Sequence, residues 1–196
     1  MKILAFAGSL RSGSLNRKLL QVAIGAIASR AEVDLLDLRD VAMPIYDGDL
    51  ETSGGLPEAA RRFKQRIAAA DALLIASPEY NNSVPGGMKN AIDWASRPPD
   101  NPFKGKVALL LGASPGAFGA VRGGLALRQI LTALMTLVIP QTVLIPKADQ
   151  AFDEGGQLKE AHYRGSIDKA VDELLKITES LKGPGPARPG AAQPPR

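Results

Sequence analysis

Five short apolar runs punctuate the chain: Lys2–Ala7, Glu32–Asp37, Ala72–Ala76, Lys106–Gly112 and Gln141–Ile145. The third, Ala-Leu-Leu-Ile-Ala, and the heart of the fourth, Val-Ala-Leu-Leu-Leu, are apolar at every position instead of alternating. Strands read this way when both of their faces are covered. Between the runs, apolar residues recur at helical spacing. Leu15, Leu19, Leu20, Ala23 and Ile27 form one stripe, and Ile167, Val171, Leu174 and Leu181 form another. Pro57 followed by Glu58 marks a helix start, with Phe63, Ile67 and Ala70 on its inner face. A helix over Leu125–Leu137 carries Leu125, Leu127, Ile130, Leu131 and Leu134, more apolar surface than one sheet face needs. That surplus fits an interface between subunits or plain core burial.

Strand–helix order repeated five times predicts an α/β domain with a parallel sheet, right-handed crossovers and helices on both faces. Such sheets bind ligands beyond the carboxyl ends of their strands, at the switch point. The loops after strands one, three and four are therefore the candidate site. The length, 196 residues, suits one domain that buries roughly 70% of its unfolded surface. Residues 1–182 are expected to form it. Residues 183–196 contain five of the 15 prolines and are expected to be a disordered tail.

Composition removes several chemistries. The chain has no cysteine and one histidine, His162, which excludes disulfide scaffolds, thiolate nucleophiles, Fe–S clusters and the usual zinc sites. Difficult redox chemistry would then need an organic cofactor. Ile3–Ala7 is too short for a signal-peptide apolar region, and no apolar run approaches the ~20 residues that span a bilayer. A cytoplasmic location with no membrane contact is expected. The net charge is +4, but the basic residues are scattered and not interleaved with aromatics, so nucleic acid is not an expected partner.

The first loop, Gly8-Ser9-Leu10-Arg11-Ser12-Gly13-Ser14-Leu15-Asn16-Arg17, runs into a helix. Glycines allow a tight turn, short polar side chains offer hydrogen bonds, and a helix N-terminus adds unpaired N–H groups. Arg11 adds a charge-assisted contact, so the loop favours a phosphate dianion. Gly8 and Gly13 have Walker A spacing, but Ser14 stands where that motif needs lysine. Leu10 stands where a dinucleotide fingerprint needs its second glycine, and Asp37 mimics its ribose-binding acid. A plain helix cap remains the bland alternative. The second loop, Ser77-Pro78-Glu79-Tyr80-Asn81-Asn82-Ser83-Val84-Pro85-Gly86-Gly87, is stiffened by proline at both ends and precedes a helix expected near Met88. Tyr80 and Asn81 would border a planar ring there; a long, well-capped connection is the alternative.

The third loop contains Gly112-Ala113-Ser114-Pro115-Gly116, which matches a Gly-x-Ser-x-Gly nucleophile elbow, with Asp149, Asp153 and His162 following in hydrolase order. Pro115 argues against hydrolysis. The residue after the nucleophile must donate its backbone N–H to the oxyanion, and proline has none. Losing one such donor costs about 10²–10³ in rate. Ser114 and Gly116 instead sit at the neighbouring strand's carboxyl edge, within reach of a ring held by the second loop.

The first loop, together with Ser77 through Trp94 (Ser-Pro-Glu-Tyr-Asn-Asn-Ser-Val-Pro-Gly-Gly-Met-Lys-Asn-Ala-Ile-Asp-Trp), resembles the NADPH-dependent FMN reductase family, and within it the bacterial chromate and quinone reductases. The resemblance spans about residues 2–180. It implies a flavodoxin-like five-stranded parallel sheet of order 2-1-3-4-5. It implies FMN as cofactor, its phosphate held by Ser9, Arg11, Ser14 and Asn16. Pro78, Glu79, Tyr80 and Asn81 would border the isoalloxazine, with Ser114 and Gly116 on its other side. Met88 replaces the family's more common leucine, a volume-conserving change. NADPH or NADH would deliver hydride in a ping-pong cycle, with no catalytic side chain. The implied acceptors are quinones, azo compounds, chromate or free flavin, and the implied assembly is a homodimer or homotetramer. Three other function classes stay open: a flavodoxin-type electron carrier, disfavoured by the basic charge, a regulator that has lost its flavin and, most distant, a dinucleotide-dependent dehydrogenase.

Overall fold

The computed structural model describes residues 1–182; the segment expected to be a tail lies outside them. Five strands, β1 (Lys2–Ala7), β2 (Glu32–Leu36), β3 (Ala72–Ala76), β4 (Val107–Ala113) and β5 (Leu137–Ile145), form one sheet of order β2-β1-β3-β4-β5. All four pairings are parallel. This is the flavodoxin-like arrangement, with its switch point between β1 and β3.

Each central strand splits its residues between two cores. Ile3 and Ala5 of β1, Leu74 of β3 and Leu109 of β4 face α1 (Leu15–Ile27) and α7 (Ala161–Leu181). Leu4, Phe6, Leu73, Ile75 and Leu110 face the opposite layer of α3 (Glu58–Ala69), α4 (Gly86–Ala95) and α5 (Val121–Ala133). The apolar-throughout runs are thus doubly covered strands. Phe6 meets Phe63 edge-on at 5.5 Å, tying β1 to α3.

Several details differ from the sequence pattern. The expected helix to Leu137 stops at Ala133, and β5 begins at Leu137 instead of Gln141. Met135 adopts a left-handed φ of 64°, while Thr136 N–H donates to the Leu131 carbonyl and Met135 N–H to that of Thr132. That is a Schellman stop, here without its usual glycine. Pro140 lies inside β5, where the register slips so that one β4 residue (Leu109) faces three of β5. On α7 the inward stripe ends in Thr178, whose hydroxyl donates to the Leu174 carbonyl at 2.6 Å, while Leu181 is exposed. The short helices α2 (Gly48–Gly54) and α6 (Ala148–Ala151) carry no apolar period long enough to have been read.

Candidate functional site

The loops after β1, β3 and β4 converge on a cavity of about 410 Å³. Ser9, Arg11, Ser14 and Asn16 line it from the first loop, joined by Gly13 and Leu15. Pro78, Glu79 and Tyr80 line it from the second, Ala113, Ser114 and Pro115 from the third, and Asp149 of α6 closes one side. Eight of the ten expected site residues are therefore brought together. Asn81 and Gly116 lie off the wall.

The first loop is built as an anion cradle. Ser14 caps α1 by accepting from Arg17 N–H at 3.3 Å, and Ser9 Oγ accepts from Arg11 N–H at 3.4 Å. The backbone N–H groups of residues 12–16 donate to no acceptor among the described residues. Five successive unpaired donors at a helix N-terminus form the electropositive surface that a phosphate requires. Arg11 is exposed, and its guanidinium makes no ion pair among the described residues. Gly8, under the loop, packs against the buried Met88 side chain, whose terminal methyl a Cβ there would have to displace. The serine and arginine positions thus fit an FMN phosphate.

Asn16 has a different set of contacts. Its carboxamide donates to the Ala113 carbonyl at 2.8 Å and accepts from Ala113 N–H at 2.9 Å. This reciprocal pair clamps the first loop to the third and leaves one side-chain N–H for a ligand.

The second loop folds back on itself. Tyr80 and Ser83 exchange backbone hydrogen bonds of 3.0 Å, and Asn81 and Asn82 between them both have positive φ, 49° and 64°. Two left-handed central residues define a type I′ turn, which asparagine tolerates. The turn leaves Tyr80 half exposed against the cavity and projects Asn81 outward. Glu79 turns the other way. Its carboxylate accepts from Arg122 N–H at 2.8 Å and Gly123 N–H at 3.1 Å and pairs with the Arg122 guanidinium, capping α5. Burial alone would raise its pKa, but those donors outweigh it and hold the carboxyl below the ordinary value. Gly123 permits the approach: a Cβ there would lie 3.1 Å from backbone atoms of Pro78, Glu79 and Ser83. Sequence reasoning missed Arg122 and Gly123 because their partner lies more than 40 residues away.

In the third loop, Ser114 Oγ accepts from Gly116 N–H at 3.2 Å. His162 is mostly exposed on α7, beside Glu160, and does not line the cavity with Ser114. No hydrolytic triad forms. A depression of about 270 Å³ adjoins the cavity and shares Arg11 and Tyr80 with it; a further one of about 380 Å³ shares no lining residue with the cavity but shares Leu10 and Gly87 with that smaller depression.

The chain matches the NADPH-dependent FMN reductase family over residues 1–150. It is 44% identical over 184 residues to an NAD(P)H-dependent FMN reductase of Pseudomonas aeruginosa, covering 93% of this chain and 98% of the relative. It is 36% identical over 188 residues to a quinone reductase of Escherichia coli, covering 93% and 96%. Among solved structures it superposes on FerB, a flavoenzyme NAD(P)H:(acceptor) oxidoreductase from Paracoccus denitrificans, with a TM-score of 0.80 and 36% identity over 92% of this chain and 98% of FerB.

Proposed function

Because the chain belongs to the NADPH-dependent FMN reductase family, we propose that its three-loop cavity holds FMN and passes reducing equivalents from NAD(P)H to quinones and similar small acceptors. The observation that carries this reading is the run of five backbone N–H groups at the start of α1 without an acceptor among the described residues. The family, the Pseudomonas relative and FerB are named for their use of NADPH or NAD(P)H, which disfavours the electron carrier.

The side chains divide the work. Ser9, Arg11 and Ser14 grip the phosphate alongside the N–H run, while Asn16 fixes the distance between that grip and the third loop. Asp149 offers only acceptor oxygens and suits the hydroxyls of the ribityl chain. Pro78, Glu79 and Tyr80 form a rigid border for the ring, with the Asn81 turn at its rim and Ser114, held by the Gly116 N–H, opposite. When bound, FMN supplies the two-electron chemistry. The protein orients both reactants over one exposed face and excludes water from the other.

Residues 1–182 act as the FMN-binding domain. A homodimer or homotetramer is supported by exposed Leu125 in the first half of α5 and exposed Met135 and Leu137 just after it, each at least 47% accessible. Among the described residues no helix is long and apolar enough to cross a membrane, in keeping with a cytoplasmic enzyme. Anaerobic titration of the purified protein with NADPH or NADH tests the proposal. Bleaching of the oxidised flavin band, and its return on adding a quinone, is expected. A yellow protein that stays oxidised defines a carrier, and one that binds no FMN refutes the assignment.

A further inference from the structure

The 380 Å³ depression beyond the ring site holds a cation with no task in that proposal. It lies between the segment after β2 and the start of α4, and it reaches the three-loop cavity only by way of the 270 Å³ depression, with which it shares Leu10 and Gly87 and which shares Arg11 and Tyr80 with that cavity. Most of its wall is apolar, including Val41, Met43 and Ala91, and Arg39 is its one charged lining residue.

Arg39 is held in a fixed orientation. Its Nε and Nη2 both donate to the Asp37 carboxylate, at 3.0 and 2.6 Å. Asp37 also accepts from Arg17 Nη2 at 2.5 Å, so one carboxylate faces two guanidinium groups. Asp40, the other nearby acid, lines a different cavity behind β2. Nη1 of Arg39 makes no hydrogen bond among the described residues, and the side chain is 49% accessible. A planar guanidinium with a free N–H edge, fixed beside an apolar trough, suits a ligand with an aromatic body and a phosphate. The donor's adenosine end has this chemistry when its ribose carries a 2′-phosphate.

We infer that this trough seats the adenosine end of NADPH, with Arg39 contacting the 2′-phosphate, so that Arg39 sets the preference for NADPH over NADH. The inference rests on the proposed reductase function and deepens it. It places the donor along a path from the ring site toward β2, while leaving the exposed flavin face open to the acceptor once the donor departs.

The test compares wild type, Arg39→Gln, Arg39→Lys and Ala42→Glu as FMN-loaded proteins. Ala42 is exposed in the same trough, so glutamate there adds a repelling carboxylate without disturbing the Asp37 pairs. The ratio of kcat/KM for NADPH to that for NADH is expected to fall about 10- to 100-fold in Arg39→Gln and Ala42→Glu, chiefly through the KM for NADPH, the range set by losing charge-assisted hydrogen bonds. Arg39→Lys is expected to recover part of it. Calorimetry with adenosine 2′,5′-bisphosphate should show the same loss, with adenosine 5′-monophosphate far less affected. A wild type without NADPH preference, or an unaltered ratio in both variants, overturns the inference while the flavin assignment stands. Wild-type protein that takes up no FMN overturns the reading beneath it, and its absorbance shows this before any nicotinamide is added.

Discussion

Asn16 and Arg11 share one loop and do opposite things. Asn16 is 3% exposed and spends its carboxamide on Ala113, whereas Arg11 stands open to solvent without a carboxylate partner. Replacing Asn16 by alanine leaves a buried N–H and C=O unpaired, a cost of about 1–3 kcal/mol, which should lower the urea midpoint of the flavin-free protein. Arg11→Ala should leave that midpoint in place and weaken FMN about 10- to 100-fold in a fluorescence titration. The types of these residues were legible in the sequence, because serine, arginine and asparagine before a helix are anion-binding chemistry. The Asn16 contact was not, since Ala113 lies 97 positions away. The same holds for Glu79, whose role as the cap of α5 depends on a helix more than 40 residues downstream. Its carboxyl is held below 4.5, so its contribution is complete above about that pH and is lost as pH falls through the lower folded value. The stability difference between wild type and Glu79→Gln should therefore shrink on acidification below about pH 4.5, as read by denaturant melts at stepped pH. A difference constant from neutral to acid would contradict the cap.

At the scale of elements, the four strands with strongly apolar or well-bounded runs were readable, and the fifth was readable only in its second half. The reason is the stop after α5. A glycine at position 135 would have announced it; methionine in a left-handed conformation does not. Leu137 then reads as the end of the helix, and the strand pattern is picked up only from Gln141, although Pro140 already sits within β5. Met135 is 61% accessible, so its side chain adds little burial to offset the backbone cost. Met135→Gly should stabilise the protein by about 0.5–1 kcal/mol, seen as a higher Tm with the fold unchanged by circular dichroism. The start of α4 at Gly86, two residues before the expected Met88, has a similar origin: two glycines hide a helix that Pro85 introduces.

The whole molecule places its rigidity and its openness on different surfaces. Both cores lie against the sheet, while unpaired N–H groups, the exposed arginine and the half-exposed tyrosine gather at the carboxyl edge. A ligand that fills this edge binds only the folded state. FMN at a hundred times its Kd should therefore add about 2.7 kcal/mol of stability, and Tm should climb with the logarithm of FMN concentration. A Tm indifferent to FMN would mean that the cradle is empty in solution.

The register slip at Pro140 also governs how copies of this protein behave when crowded. With nine residues, β5 is the longest strand, and it forms one border of the sheet, the kind of edge onto which a stray chain can add itself. Pro140 presents no amide hydrogen at mid-strand, and Arg128 of α5 occupies the carbonyls of Val138 and Ile139. An incoming strand would find its ladder interrupted at the centre, so this irregularity protects the molecule from edge-to-edge aggregation.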